Sequence, residues 1–157
     1  MKRLAALAPL FVLSGQLVLA EENPAPTPGR SEKFSIGQVW RYATREGEEE
    51  SRVHIGMIEA MANGDVIVHI KITGLHLRAP GGSEGSVVGH MPLTEQALEK
   101  SVTELTGETA DLEGLEGGHA TWLEAYRSGK GGVFTLSVAE AVDLIQRMIS
   151  GDTTNER

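Results

Sequence analysis

Residues 51–73, SRVHIGMIEAMANGDVIVHIKIT, are two runs of β-forming residues joined by Ala62-Asn63-Gly64-Asp65. Asn-Gly in that setting predicts a hairpin, because a two-residue type I′ turn needs positive φ at both central positions. With Asn63 and Gly64 as the loop, Met61 opposes Val66, Glu59 opposes Val68, Met57 opposes Ile70 and Ile55 opposes Ile72. Alternation along the strands then gathers Val53, Ile55, Met57, Met61, Val66, Val68, Ile70 and Ile72 on one apolar face. The other face is mixed: His54, Gly56, Ile58, Ala60, Ile67, His69, Lys71 and Thr73. One face is core and the other is partly wet. The pattern specifies half a fold and no chemistry.

The N-terminus specifies a compartment. Met1-Lys2-Arg3 is basic, residues 4–19 are mostly apolar, and Val18-Leu19-Ala20 offers a short-side-chain cleavage site. Residues 1–20 therefore read as a secretory signal peptide cut after Ala20, which places the mature chain in the periplasm or outside the cell. The stretch is short for a membrane span and contains Pro9, Ser14, Gly15 and Gln16, so no stable insertion is expected after cleavage. No cysteine is present, which excludes disulfides, thiolate metal sites and a lipidated N-terminus. The net charge of −8 argues against nucleic acid and favours, if anything, a basic partner.

Residues 21–33, with three alternating prolines and no large apolar side chain, predict a disordered tether. A single domain follows over 34–150, and residues 151–157 form a frayed tail. Residues 38–45 predict a strand with Trp40, Tyr42 and Thr44 on one face. Residues 46–50 (EGEEE) read as a solvated charged turn without the defined loop of a calcium site. Leu75 to Arg78 either extends the hairpin past a bulge at Gly74 or forms a short further strand. Residues 79–92 (APGGSEGSVVGHMP) are a long glycine-rich loop, and Gly89-His90-Met91-Pro92 is its landing point before a helix.

That first helix starts at Thr94, carries Leu98, Val102 and Leu105 on one stripe, and stops at Gly107. An acidic linker, residues 108–118, precedes a second helix over 119–128, with Trp122, Leu123 and Tyr126 on one side. Residues 133–136 are extended. Ser137 and Glu140 form a capping box for a third helix, whose apolar stripe is Val138, Ala141, Val142, Ile145, Met148 and Ile149. Strands followed by helices give the α+β class: an antiparallel meander of three to five strands with about three helices, the C-terminal one on the apolar face.

The sequence offers chemistry only in fragments. His54 and His69 share a face, but their predicted separation of about 13 Å is too great for one zinc ion. No histidine pair has the i, i+4 spacing of a metalloprotease helix, so neither a metal nor a cofactor is expected. Gly129-Lys130-Gly131-Gly132 lacks the earlier glycine and the following Ser or Thr of a phosphate loop. No serine sits in a Gly-x-Ser-x-Gly elbow, and no carboxylate pair stands apart, so no catalytic residue is assigned. Glu59 falls on the apolar hairpin face, where it is expected to reach the sheet rim. Trp122 and Tyr126, at i, i+4, read first as core and second as a recognition patch.

The strings IGQVWRYATREGEEESR, VIVHIKITGLHLRAP, GHMPLTEQALEKSVTEL and GKGGVFTLSVAEAVDLI together resemble a family of small uncharacterised bacterial proteins of proteobacterial type. The resemblance covers most of the chain after Ile36 and implies one domain. No activity is established for that family, so no function carries over. The first expectation is a noncatalytic exported domain that binds an envelope or secreted protein, in the manner of an inhibitor or immunity protein. Its surface would be the loop from Arg78 to Met91, with the acidic segment 108–116. The alternative is a small hydrolase or ligand-binding enzyme using His90 or His119 beside a carboxylate. A structural envelope component is a third. The candidate binding residues are Arg78, His90, Met91, His119, Trp122 and Tyr126.

Overall fold

Thr27–Pro28 (β1), Val39–Tyr42 (β2), Arg52–Ala60 (β3), Val66–Thr73 (β4), Leu77–Arg78 (β5), Glu84–Gly85 (β6) and Val88–Thr94 (β7) precede the first helix, Glu95–Ser101 (α1). Val102–Leu105 (β8), Leu115–Arg127 (α2) and Val138–Ser150 (α3) complete the chain. These elements come from a computed structural model that describes residues 21–152. The signal-peptide reading of 1–20 and the last five residues of the tail lie outside the described residues. Among the described residues, no helix is long and apolar enough to cross a membrane.

The fold is α+β. One antiparallel sheet runs β7-β4-β3-β2-β8, with β1 paired to β3 as a sixth strand, and β5 and β6 form a separate ribbon. The predicted hairpin is present, but its register differs from the two-residue expectation. Met61 N–H bonds the Asp65 carbonyl at 2.8 Å, Gly64 N–H bonds the Met61 carbonyl at 2.9 Å, and Gly64 has φ +88°. That is a three-residue loop with glycine in the left-handed position, so Ala60, not Met61, pairs with Val66. The shift by one places Met57 and Glu59 on the face of Ile67 and His69. A bulge between Ile55 and Met57, at Gly56, adds a second shift of one, so Ile55 pairs with Ile70 instead of the expected Ile72 and returns to the apolar face.

Val53, Ile55, Ile58, Val68, Ile70 and Ile72 are therefore buried together, roofed by Ala97 and Leu98 of α1 and Val138, Ala141 and Val142 of α3. Helix α3 begins at the predicted capping box and ends at Gly151 in the left-handed conformation. Beyond Ile145 its apolar stripe overhangs the sheet, leaving Met148 exposed.

Several segments depart from expectation. Helix α1 stops at Ser101, whose hydroxyl bonds back to the Ala97 carbonyl at 2.7 Å and also accepts the Val138 N–H at 3.0 Å. Val102 to Leu105 instead forms an edge strand on β2. Half of the predicted loop 79–92 is β6 and the start of β7, and Pro92 is tolerated because β7 is the sheet edge. Glu48, expected in a solvated turn, is buried: Arg45 forks it and the His76 N–H bonds it at 2.8 Å.

Residues 21–33 are not a free tether. Thr27 and Pro28 pair with Ala60 and Glu59, Gly29 N–H bonds Ile58, and Asn23 bonds the Tyr126 and Arg127 carbonyls. The alternating prolines favour an extended chain, and β3 offers it an edge.

Candidate metal centre

The second sheet face, opposite α1 and α3, is covered by α2 and the segment before it. At one end, Lys71 Nζ reaches Asp111 and the Glu113 carbonyl, both at 2.8 Å, while His54 bonds Thr73 at 2.9 Å and the Asp111 N–H at 3.0 Å. Arg52 holds Glu108 at 2.9 Å. Two of the linker's four acids, Glu108 and Asp111, are thus paired with the domain's own cations while their side chains stay half exposed.

At the other end, α2 begins four residues before the predicted His119, and its face is Leu115, His119, Trp122 and Tyr126, spaced by four, three and four. Two glycines let it settle. A Cβ on Gly56 would lie 2.1 Å from a Leu115 methyl carbon, and one on Gly118 would lie 2.4 Å from His90 Cβ. Gly118 is helical and read from sequence as linker; its missing side chain is what brings His119 down to the sheet.

Under the helix, three strands converge on His69. In β4 it pairs with Met57 on one side and Pro92 on the other. The ladder to β7 shifts between Ile70 and Ile72, where Gly89 and His90 stand against Lys71 alone. Bulges thus flank His69 on both neighbouring strands and re-aim side chains toward it. His69 Nε2 lies 2.9 Å from Glu59 Oε2, and His119 Nε2 lies 3.0 Å from the same oxygen. His69 Nδ1 lies 2.9 Å from His90 Nε2. Trp122 closes the group, its ring 4.9 Å from that of His69, with Tyr126 stacked beyond at 5.0 Å. Trp122 is itself fixed by its Nε1–H bond to the Gly132 carbonyl at 2.9 Å.

His69 is fully buried, and Glu59 and His119 side chains are each 12 % exposed. Burial pushes His69 down to about 3, reinforced by the neighbouring His90 and His119; burial, then His119, pushes His90 down to about 4. Both rings are neutral at physiological pH. Glu59 accepts from His69 and His119, and among the described residues no Lys or Arg forms an ion pair with it. A carboxylate this deep ordinarily has a cation beside it.

No family model, curated protein or solved structure matches this chain. The site rests on its own geometry.

Glu59 Oε2, His69 Nε2 and His119 Nε2 lie within 4.8 Å of one another and can hold one metal ion. Two imidazole nitrogens and a carboxylate oxygen suit zinc and its neighbours. Tetrahedral zinc, with bonds of about 2.0–2.1 Å, separates its donors by about 3.3 Å. The two carboxylate–imidazole spacings, 2.9 and 3.0 Å, need only a few tenths of an ångström to reach it, and the two imidazole donors lie within 4.8 Å of each other.

Of the candidate binding residues, the structure brings together His90, His119, Trp122 and Tyr126. It does not bring Arg78 or Met91 to them. Arg78 lies on the β5–β6 ribbon, where its backbone bonds Gln146 of α3; Met91 is buried in the core on the opposite face. Glu59 and His69 were missed as a pair, because an unbroken two-residue hairpin separates their faces. The expectation of no metal rests on the separation of His54 and His69 and on the lack of an i, i+4 histidine pair. The geometry assembles a different set.

Proposed function

We propose that this domain binds a divalent transition-metal ion of the zinc class through Glu59, His69 and His119, acting in an exported compartment. One observation carries the reading: a largely buried carboxylate is flanked by two imidazole Nε2 atoms, and among the described residues no Lys or Arg forms an ion pair with it. A divalent cation would neutralise Glu59 and replace two hydrogen bonds with coordinate bonds. Burial keeps His69 unprotonated, as a ligand must be. Three protein donors leave a fourth position for water or a partner's side chain, the pattern of exchangeable rather than closed structural sites.

The arrangement also supplies the carboxylate that an enzyme built on His119 would need. The metal reading accounts for more of the site, because it explains why both histidines converge on one oxygen. The docking surface expected of the acidic linker has less support, since Arg52 and Lys71 already neutralise Glu108 and Asp111.

The test is titration of the purified domain, stripped with chelator, with zinc by calorimetry and with cobalt(II) by visible absorption. One equivalent should bind, with the intense d–d bands of a four-coordinate site. Glu59→Gln should weaken binding by 100-fold or more while the protein stays folded by circular dichroism. Absence of binding tighter than millimolar, or full affinity in the folded variant, would defeat the proposal.

A further inference from the structure

His90 touches none of the three donors through the atom that would meet the metal. Its Nε2 lies against Nδ1 of His69, across the ring from the Nε2 that faces Glu59. It is therefore not a fourth ligand. We infer, on the basis of the metal reading above, that His90 is the positioning residue of the centre and fixes His69 as a ligand by accepting the hydrogen bond of its Nδ1–H.

The protons follow from the partners. Glu59 Oε2 is the acceptor shared by both imidazoles, so the metal-free site has Nε2–H on both His69 and His119. Neutral His69 then has a bare Nδ1, and His90 donates its Nε2–H to it. A cation at His69 Nε2 reverses this. The one remaining proton of the ring must sit on Nδ1, where His69 is fully buried and the acceptor at hand is His90 Nε2. His90 must then carry its own proton on Nδ1. Loading thus turns the His69–His90 hydrogen bond around, with both rings neutral before and after.

The fold holds His90 for this task from two sides. The β7 bulge at Gly89-His90 aims its ring, and Gly118 of α2 closes on its Cβ. The two rings are near-parallel, 20° between planes and 5.1 Å between centroids, as expected of an in-plane hydrogen bond between them. Such outer partners typically contribute 10- to 100-fold in metal affinity by fixing the tautomer and orientation of the ligand ring (about one to two orders of magnitude).

The experiment combines zinc titration of the wild type, His90→Gln and His90→Leu with nitrogen-15 histidine NMR of the wild type. His90→Leu should bind zinc about 10- to 100-fold more weakly. His90→Gln, whose Oε1 can accept from Nδ1–H, should recover most of the loss. In the wild type, His69 should pass from the Nε2–H to the Nδ1–H tautomer on loading, a readout that requires no variant to fold. Tight zinc binding with His69 still carrying its Nε2–H would overturn both the role of His90 and His69 as a ligand. Wild-type affinity in His90→Leu would overturn the role of His90 alone and leave the metal centre standing. A wild type that binds no zinc would overturn both.

Discussion

Gly117 and Gly118 are adjacent in the first turns of α2, yet substitution by alanine should move stability in opposite directions. Nothing lies within 4 Å of a Cβ built on Gly117, whereas one on Gly118 would stand 2.4 Å from His90 Cβ. Neither residue has positive φ. Gly117→Ala should therefore show the helix-propensity gain alone, about 0.5–1 kcal/mol. Gly118→Ala receives the same gain but must lift α2 by about 1 Å to restore ordinary contact, since His90 Cβ is rooted in the sheet and cannot rotate aside. Overpacking of this kind costs about 1–3 kcal/mol, so the variant should be destabilised by roughly 1–2 kcal/mol after the propensity gain. Because the propensity gain is common to both, the two variants should differ by the overpacking cost itself, about 1–3 kcal/mol, a shift in urea midpoint of about 0.5–2 M at the m-value of a domain this size. Because His119 follows Gly118 directly, lifting the helix should also weaken zinc binding in Gly118→Ala and leave Gly117→Ala at wild-type affinity. Equal stabilisation by both substitutions would mean that α2 does not seat on β7 at His90, and the geometry of the metal centre would fall with it.

Two further outcomes follow from contacts away from the histidines. Burial alone would raise the Glu48 carboxyl, but the Arg45 guanidinium and the His76 N–H outweigh it and hold it below the ordinary glutamate value. Below that value, about 4.3, the unfolded chain takes up the proton first, so this contribution is complete above it and is lost as pH falls through the folded-state value. Urea melts between pH 7 and pH 3 should show a shallower acid limb in Glu48→Gln than in wild type; parallel limbs would contradict the assignment. Beginning the chain at Ser31 removes the pairing of Thr27 and Pro28 with β3 and the Asn23 bonds to α2. That truncation should lower stability by about 1–2 kcal/mol in the same melts, a net figure after the ordering entropy of the strand; no change would show that the segment follows the surface without holding it.

The division between what the sequence discloses and what it conceals follows the pleat. Ser137 and Glu140 disclose α3 because capping chemistry is local, and the apolar alternation of Val68, Ile70 and Ile72 discloses the core face for the same reason. The β8 strand was hidden because Leu98, Val102 and Leu105 continue a helical period. The free edge of β2 and the Ser101 hydroxyl bond end the helix sooner. Leu115 reads as a linker residue until the space left by Gly56 is known.

Glu59 shows why the site was the hardest part to read. A constant pleat forces a choice: either Glu59 shares a face with Val53 and Ile55, or it shares one with His69. The first buries a carboxylate under α3 without a partner, at several kcal/mol (~2–7 for even an uncharged polar group). The second, carried the length of the strand, would turn Val53 and Ile55 out of the core. The chain avoids the choice by inserting one residue twice, at the Gly64 turn and at the Gly56 bulge. Between those two glycines the alternation is inverted, and on either side it is not. Gly56 inside a strand-forming run was the visible sign, since glycine there marks a bulge or a close approach and here marks both. The inverted stretch ends at the bulge beside His69, on the face that α2 and the Gly89-His90 bulge close from the other side. A carboxylate that looks misplaced in the periodic pattern is thus where the backbone departs from its period, and three histidines gather at that departure.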